Sequence, residues 1–282
     1  MKLVELRTIF ESTLQSVYEV EEVRQHFAAL CEMYYGYSPA QVVLHLQESV
    51  SAAEANRFQT DLAQLKDHVP IQYIIGKVNF ADVQLSVTKS VLIPRPETEE
   101  LVHWILATFL KNESLQVLDI GTGSGCIALA LKKARPHWNI SAWDVDTNAL
   151  QLAEQNARDN NLNIDFHQND ILSKNLPLKD WDVIVSNPPY VPDALKKITQ
   201  PRVLEHEPHH AIFVSDQNPL CFYECICEYA MQQLNPNGYL LFEGHAPLMK
   251  SVEKLLQDAG FYDIVLRNDF RANPRFIRAI KP

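Results

Sequence analysis

Apolar residues in the first 75 positions recur at steps of three and four, the spacing of one buried helix face. One periodic stretch covers residues 21–35 and ends at Gly36, a residue type that terminates helices in the left-handed conformation. Ser38 and Ser51 each begin a capping box, with Gln or Glu three positions later. The pattern predicts a small all-helical domain over residues 1–75.

The pattern changes after Gly76. Residues 77–87, KVNFADVQLSV, alternate apolar and polar side chains, which predicts a β-hairpin. An apolar-periodic helix follows the segment VLIPRPETEE and ends near Leu110. We therefore expect a helical domain, a hairpin linker over 76–94 and a larger domain over 95–282.

Beyond Leu115, short apolar runs alternate with stretches of helical period. The predicted strands are 117–120, 140–144, 164–168, 182–186, 239–243, 262–266 and 276–280. The predicted helices among them are 124–134, 147–160, 220–234 and 248–259. Strands that alternate with helices indicate an α/β fold, Rossmann-like, with a mostly parallel seven-stranded sheet wound on both faces.

Composition narrows the class of protein. Of the 282 residues, 46% are hydrophobic and 21% charged, as in a typical globular protein, and no apolar run reaches the ~18 residues of a membrane span. The net charge of −10 argues against a broad nucleic-acid-binding face. Five cysteines without framework spacing, and a first segment unlike a signal peptide, favour the cytoplasm.

Three of the eight glycines lie in DIGTGSG, residues 119–125, between a predicted strand and a predicted helix. The loop is not the dinucleotide fingerprint, because Cys126 replaces the third glycine, and it lacks the Lys-Ser/Thr pair of a P-loop. It resembles the cofactor loop of S-adenosylmethionine-dependent methyltransferases; a plain strand-to-helix turn is the alternative. The resemblance implies cofactor contacts from Asp119, Gly121, Thr122, Gly123, Ser124 and Gly125.

Two further positions extend this prediction. Asp144 ends the next strand, about 20 residues beyond the loop, where a carboxylate accepts hydrogen bonds from both hydroxyls of a ribose. Asp146 stands directly before the following helix and can cap it, which leaves Asp144 for the ligand. Asp170 and Ile171 follow the third strand, where such folds hold the adenine, although this aspartate also suits a turn.

The fourth strand ends on SNPPY, residues 186–190. Two prolines cannot continue a strand, and ligands of doubly wound sheets bind at the carboxyl ends of the strands. The nitrogen of a planar amide or aryl amine is a poor nucleophile because its lone pair is delocalised. Two acceptors that hold both of its N–H protons would fix the nitrogen and direct the lone pair at the methyl group. Asn187 Oδ1 and the Pro188 carbonyl can be those acceptors, while Tyr190 offers a face for packing. We expect a methyltransferase that acts on a planar nitrogen.

The whole chain resembles the release factor glutamine methyltransferases, the PrmC/HemK family. The matching segments are the helical domain, the hairpin, IPRPETEE at 93–100, VLDIGTGSGCIALAL at 117–131, DVIVSNPPYV at 182–191 and EPHHAI at 207–212. The resemblance implies a helical domain joined to a class I methyltransferase domain. It implies methylation of the side-chain amide nitrogen of glutamine in the Gly-Gly-Gln motif of class I peptide chain release factors.

By the same resemblance, Asn187, Pro188, Pro189 and Tyr190 receive the glutamine, with Asn187 also beside the cofactor. The methyl donor would be S-adenosyl-L-methionine, converted to S-adenosyl-L-homocysteine. An acidic enzyme that must reach one glutamine on a large protein needs docking surface beyond its active site, so we expect the helical domain to dock the release factor. We expect a cytoplasmic monomer without metal, direct nucleic-acid binding or membrane attachment.

Other functions stay open from the sequence. A DNA or RNA adenine amino-methyltransferase uses the same Asn-Pro-Pro-Tyr segment but needs a basic groove, which the acidic chain does not suggest. A ribosomal-protein glutamine methyltransferase would typically replace Pro96 and Glu97 by Ser and Pro. A non-enzymatic binding module would be expected to lack Asn187, Asp144 or the glycines. The histidines of EHEPHH, 205–210, lack clear metal-ligand spacing.

Two segments depart from the family pattern. The family commonly continues its fifth strand as Glu-x-Gly with a glutamine a few residues later, where this chain has Glu243-Gly244-His245. Near the end of the chain, Ala272-Asn273 replace a frequent glycine. Both departures bear on loop details and partner fit more than on the chemistry.

Overall fold

The computed structural model describes all 282 residues, which form two compact units. Met1–Gly76 and Gln200–His206 make up the smaller unit, and Lys77–Thr199 and Glu207–Pro282 make up the larger one. None of the helices combines the length and the apolar character that a membrane span requires.

The smaller unit is helical. Its helices are α1 (Leu3–Leu14), α2 (Val20–Tyr35), α3 (Pro39–Leu44), α4 (Ala52–Lys66), α5 (Ile71–Ile75) and α9 (Pro201–His206). Gly36 ends α2 with φ of 71°, and the Ser38 and Ser51 hydroxyls accept backbone N–H bonds at the starts of α3 and α4. The predicted helix end at Gly36 and the predicted helix starts at Ser38 and Ser51 are confirmed. The rings of Phe10, Phe27 and Phe58 fill the core.

Helix α9 joins this unit from a distant part of the chain, which the sequence did not predict. Arg202 Nη1 donates to Glu22 Oε1 at 2.6 Å, and His206 Nε2 lies 2.7 Å from the Asp67 carbonyl oxygen. Contacts between residues so far apart in sequence leave no local periodic signal.

The larger unit contains the remaining elements. Its helices are α6 (Pro96–Thr108), α7 (Cys126–Ala134), α8 (Thr147–Asp159), α10 (Cys221–Gln233) and α11 (Met249–Asp258). Its strands are β1 (Lys77–Phe80), β2 (Val83–Ser86), β3 (Gln116–Ile120), β4 (Asn139–Asp144), β5 (Asp165–Gln168), β6 (Trp181–Ser186), β7 (Val191–Pro192), β8 (Phe213–Val214), β9 (Leu234–Glu243), β10 (Tyr262–Asn268) and β11 (Pro274–Ile280). Short 3₁₀ helices cover Asp193–Ile198, His209–Ala211 and Ala246–Leu248.

Seven strands form the central sheet in the order β10-β11-β9-β6-β3-β4-β5. The strands from β9 to β5 in this order run parallel, while β11 is antiparallel to both of its neighbours. The short connection from β10 to β11 requires this reversal, because parallel neighbours need a long crossover. The predicted α/β fold with a mostly parallel seven-stranded sheet is confirmed, and apolar cores cover both faces of the sheet.

Strands β1 and β2 form the predicted hairpin, with Ala81 at φ of 45° in its turn. The side chains of Phe80, Val83 and Leu85 are buried in the core of the larger unit. The hairpin expected as a linker is therefore a packed element of that unit.

Candidate active site

The glycine loop leaves β3 and is shaped by hydrogen bonds to β4. The backbone N–H groups of Gly121 and Thr122 both donate to the Trp143 carbonyl, at 2.8 and 2.9 Å. Gly121 and Gly123 have φ of 74° and 55°, a conformation that residues with a Cβ rarely adopt. Gly125, at φ of 83°, caps α7, and a Cβ there would lie 2.5 Å from Leu129 Cδ1. Backbone conformation and close packing explain the clustered glycines.

Asp144, at the end of β4, holds the loop from the other side. Its Oδ2 accepts from the Gly123 N–H at 2.8 Å, and its Oδ1 accepts from the Asp146 N–H at 3.0 Å. Burial raises the pKa of the Asp144 carboxyl, and the two backbone donors act in the opposite direction. Asp146 accepts from the Asn148 N–H at 2.7 Å and so caps α8, as predicted. Each Asp144 oxygen retains a lone pair for a further donor.

Asn156 of α8, which is fully buried, ties the loop to the hairpin. Its Nδ2 donates to the carbonyl of Ser124 at 2.9 Å and to that of Ser86 at 3.0 Å. Its Oδ1 accepts from the Ser86 N–H at 2.7 Å. One amide thereby satisfies three backbone groups, two of Ser86 and one of Ser124. No local pattern around Asn156 indicates this role.

A cavity of about 280 Å³ lies at the carboxyl ends of the parallel strands. Its lining includes the predicted residues Gly121, Gly123, Asp144, Asp170, Ile171, Asn187, Pro188 and Pro189. The structure brings the glycine loop, the strand-end carboxylate and the Asn-Pro-Pro segment to one place. Apolar side chains such as Val91, Ile226 and Phe222 make up much of the remaining wall, a composition typical of small-molecule sites.

Other predicted residues lie behind the cavity wall. Asp119 is completely buried and accepts from the Thr122 hydroxyl at 2.7 Å, while burial raises the pKa of its carboxyl to about 7. Ser124 and Gly125 are buried where the loop enters α7. These residues do not line the cavity, and the contacts they make in the structure shape the loop. Asp170 lines the cavity and also accepts from the Leu172 N–H at 2.9 Å, a turn contact.

The Asn-Pro-Pro-Tyr segment is fixed at both ends. The Ser186 hydroxyl donates to the Ile120 carbonyl at 2.7 Å, and Val191 begins β7, which pairs with β8. Pro188 and Pro189 face the cavity between these anchors. Tyr190 does not line the cavity; its hydroxyl lies 3.4 Å from Glu243 Oε1 and its ring stacks on His245.

Two polar residues that the sequence did not single out stand behind Asn187. Asn187 Nδ2 donates to Thr98 Oγ1 at 3.3 Å, and the Thr98 hydroxyl donates to Glu243 Oε2 at 2.8 Å. Both Thr98 and Glu243 are buried. Thr98 lies in the IPRPETEE segment and Glu243 ends a predicted strand, but the sequence does not indicate that the two side chains are in contact.

An ion pair whose carboxylate is buried joins two of the segments that resemble the family. Arg95 Nη2 pairs with Glu207 Oε1, and the Ile93 N–H donates to Glu207 Oε2 at 3.2 Å. The Glu207 side chain is only 1% exposed. Cavity-lining Val91 and His210 lie a few residues from these anchors, so the pair holds together two segments of the cavity wall.

Comparison with known proteins places the chain in a family. Residues 5–76 match the model described as the PrmC N-terminal domain, and residues 102–210 match the methyltransferase small domain. The release factor glutamine methyltransferase of Flavobacterium psychrophilum is 40% identical over 281 residues, 99% of each chain. That of Bacteroides thetaiotaomicron is 33% identical over 268 residues, 95% of this chain and 96% of that protein. The chain belongs to the release factor glutamine methyltransferase family.

Solved structures agree on the fold of the methyltransferase part. A methyltransferase from Pyrococcus furiosus superposes with a TM-score of 0.53 at 20% identity, over 71% of this chain and 89% of that one. A human methyltransferase 10 domain containing protein gives a TM-score of 0.52 at 19% identity, over 71% and 90%. At this identity the likeness concerns the fold alone. Family and fold together make the chain a methyltransferase.

The segments that depart from the family pattern have local explanations. A Cβ at Gly244 would lie 2.6 Å from Met249 Sδ and 2.7 Å from the Tyr223 hydroxyl, so any larger residue would have to displace one of these side chains. Ala272, where the family often has glycine, adopts φ of 62° in a turn closed by Asp269, whose Oδ1 accepts from the Asn273 N–H. The backbone at Ala272 thus adopts the left-handed conformation that glycine favours, although the residue is alanine.

His206 and His210 of the 205–210 segment have separate partners. His206 contacts the Asp67 carbonyl oxygen, whereas His210 Nε2 lies 3.3 Å from Asp146 Oδ2. The structure contains no group of three or more His, Cys, Asp or Glu side chains arranged to hold a metal ion.

Proposed function

We propose that this enzyme transfers a methyl group from S-adenosylmethionine to the side-chain amide nitrogen of glutamine in the Gly-Gly-Gln motif of class I peptide chain release factors. One observation carries the proposal: Asn187 and Pro188 line the same cavity as Gly121, Gly123 and Asp144. An acceptor pair suited to a planar amide thus lies beside a loop suited to the methyl donor. The choice of release factors as the protein substrate is supported by the names of the relatives.

The residues present fit the methyl donor. Asp144 has lone pairs left for two ribose hydroxyls, and Gly121 and Gly123 present backbone without side chains to the cavity. Ile171 supplies an apolar surface suited to an adenine ring. When bound, S-adenosylmethionine would supply an electrophilic methyl group attached to a sulfonium sulfur. The leaving group would be S-adenosylhomocysteine, a neutral thioether.

The chain itself positions the nucleophile. Asn187 Oδ1 and the Pro188 carbonyl accept the two N–H groups of the substrate amide and so turn its nitrogen toward the methyl group. The fixed φ of proline holds the Pro188 carbonyl in place. The amide releases one proton to water as the N-methyl amide forms. Catalysis is mainly positioning, which lowers the barrier by removing rotational freedom before the reaction.

The proposed function is tested by incubating the enzyme with S-adenosylmethionine and a full-length class I release factor, followed by intact-mass analysis. We expect a mass gain of one methylene on the release factor. A release factor whose motif glutamine is replaced by asparagine should stay unmodified. Methylation of a ribosomal protein or duplex DNA in place of the release factor would contradict the proposal. The five free thiols suit a reaction in the reducing cytoplasm.

Asp144→Ala should weaken cofactor binding by about 1.5–3 kcal/mol, because a charged acceptor for two hydroxyls is lost. Asp144→Asn is the matched control, since its side-chain oxygen can still accept from the Gly123 N–H and hold the loop. We expect the asparagine variant to lose less affinity. Calorimetric titration with S-adenosylhomocysteine measures both, and an unchanged affinity in the alanine variant would remove Asp144 from the site.

We further propose that the helical domain, residues 1–75, docks the release factor. Deleting residues 1–75 should lower kcat/KM for the full-length release factor at least about tenfold, because docking contacts are lost. The rate with a short Gly-Gly-Gln peptide should not change, since the peptide reaches only the cavity. Cofactor affinity checks that the shortened protein is folded after α9 has lost its packing partners. Equal loss on both substrates would contradict a docking role.

A further inference from the structure

A line of three polar side chains runs from the sheet to the cavity. Glu243 ends β9, Thr98 lies in the first turn of α6, and Asn187 follows β6. Glu243 and Thr98 are 1% and 2% exposed, so the contacts between them are shielded from water. The second carboxylate oxygen of Glu243 lies 3.4 Å from the Tyr190 hydroxyl. One carboxylate is thereby linked to both polar side chains of the Asn-Pro-Pro-Tyr segment.

The hydrogen bonds in this line have a direction. A threonine hydroxyl has one proton, and that of Thr98 is donated to Glu243 Oε2 at 2.8 Å. Toward Asn187 the same oxygen can then only accept, so the amide nitrogen of Asn187 must face Thr98, at 3.3 Å. Asn187 Oδ1 is left to accept from a ligand in the cavity. The ionised carboxylate of Glu243 can only accept, and it sets this direction for Asn187 through the Thr98 hydroxyl between them.

We propose that Glu243 and Thr98 are positioning residues for methyl transfer, and that the Glu243 carboxylate determines, through the single Thr98 proton, which end of the Asn187 amide faces the substrate. The inference rests on the proposed function, since Oδ1 matters only if the substrate donates an N–H. Neither residue needs to touch the substrate or the methyl donor.

Protonation of Glu243 would reverse the line. A protonated carboxyl can donate to Thr98 Oγ1, which frees the Thr98 proton to donate toward Asn187. The Asn187 amide would then turn its oxygen to Thr98 and its NH₂ to the substrate, where two donors would meet. One of the two acceptors for the substrate amide would be lost, and only the Pro188 carbonyl would remain.

The surroundings of Glu243 bring this change near neutral pH. Burial raises the pKa of Glu243 to about 7, Glu97 of α6 adds to the rise, and the Thr98 hydroxyl and Arg275 of β11 oppose it. Tyr190 faces the carboxylate from the Asn-Pro-Pro-Tyr segment, and Tyr223 of α10 donates to the Glu243 carbonyl at 3.1 Å. The carboxyl is ionised above this pKa, so methyl transfer should slow as the pH falls through about 7.

Single-turnover methyl transfer to the release factor, measured from about pH 6 to pH 9, tests the proposal. Thr98→Val removes the hydroxyl at nearly constant volume; we expect a rate about tenfold lower at pH 8 with unchanged cofactor affinity. Thr98→Ser keeps the hydroxyl and should restore the rate. The acidic fall near pH 7 should be present in wild type and Thr98→Ser but absent in Thr98→Val.

Glu243→Gln provides a second test, which still applies if Thr98→Val fails to fold. Glutamine does not ionise, so this variant removes the titrating group. Its rate should lose the fall near pH 7. A Thr98→Val enzyme as fast as wild type, or an acidic fall that persists in Glu243→Gln, would overturn the proposal. A wild-type enzyme that leaves the release factor unmodified contradicts the proposed function instead, so the two failures are distinguishable.

Discussion

Replacing Asn187 with alanine is expected to slow methyl transfer on the order of a hundredfold or more, because the nucleophile loses a pre-organised acceptor. Cofactor affinity should change little, since the loop and Asp144 remain intact and the proposed mechanism directs the Asn187 amide at the substrate. The expected signature is a lower turnover at near-normal affinity. Single-turnover methylation of a release factor and cofactor titration of the same preparation measure the two halves.

Asn187→Asp is the matched variant, because it keeps an acceptor but loses the donor that faces Thr98. An ionised aspartate there would lie in line with Glu243 through Thr98, whose single proton cannot serve both carboxylates. We expect a loss of rate in this variant too, less severe at low pH where one carboxyl is protonated. An Asn187→Ala enzyme that methylates at the wild-type rate would refute the positioning mechanism.

Arg95→Met should destabilise the protein by about 3 kcal/mol, at the low end of the range for breaking a buried ion pair. The low end applies because Glu207 is 1% exposed and Arg95 is 34% exposed, so water partly screens the arginine. A loss of this size corresponds to a fall in melting temperature of roughly 5–10 °C. Cofactor affinity should fall as well, because the pair holds two segments of the cavity wall.

The double variant Arg95→Met/Glu207→Gln is the control for this prediction. It removes the buried charge that Arg95→Met leaves without a partner, and glutamine can still accept from the Ile93 N–H. Most of the lost stability should therefore return. Equal melting temperatures for the single and double variants would show that the charge of Glu207 is not the source of the loss.

The elements of the fold could be predicted because their signals are local. Gly36 and the boxes at Ser38 and Ser51 fix helix ends through residues at most three positions away. The strand ends that bear Asp144 and Asn187 follow from apolar runs and prolines, and the structure brings both to one cavity. Spacing along the chain was sufficient wherever a feature depends on its own neighbours.

Contacts across the sheet could not be predicted in this way. The partner of Thr98 is 145 positions away, and that of Arg95 is 112 positions away. The expected packing role of Tyr190 toward the substrate also depends on such contacts, since its hydroxyl lies near Glu243 and its ring lies against His245. Polar pairing between distant residues is set by the finished fold and leaves no periodic trace.

The bridge made by Asn156 has a consequence for the order in which the protein becomes functional. This side chain bonds Ser124, 32 positions upstream, and Ser86, 70 positions upstream. Contacts of long sequence separation form late, because the intervening chain must first be ordered. Since synthesis proceeds from the N-terminus, the glycine loop emerges from the ribosome before its buried anchor exists. The loop reaches its final shape only after α8 has been made and has docked against the hairpin.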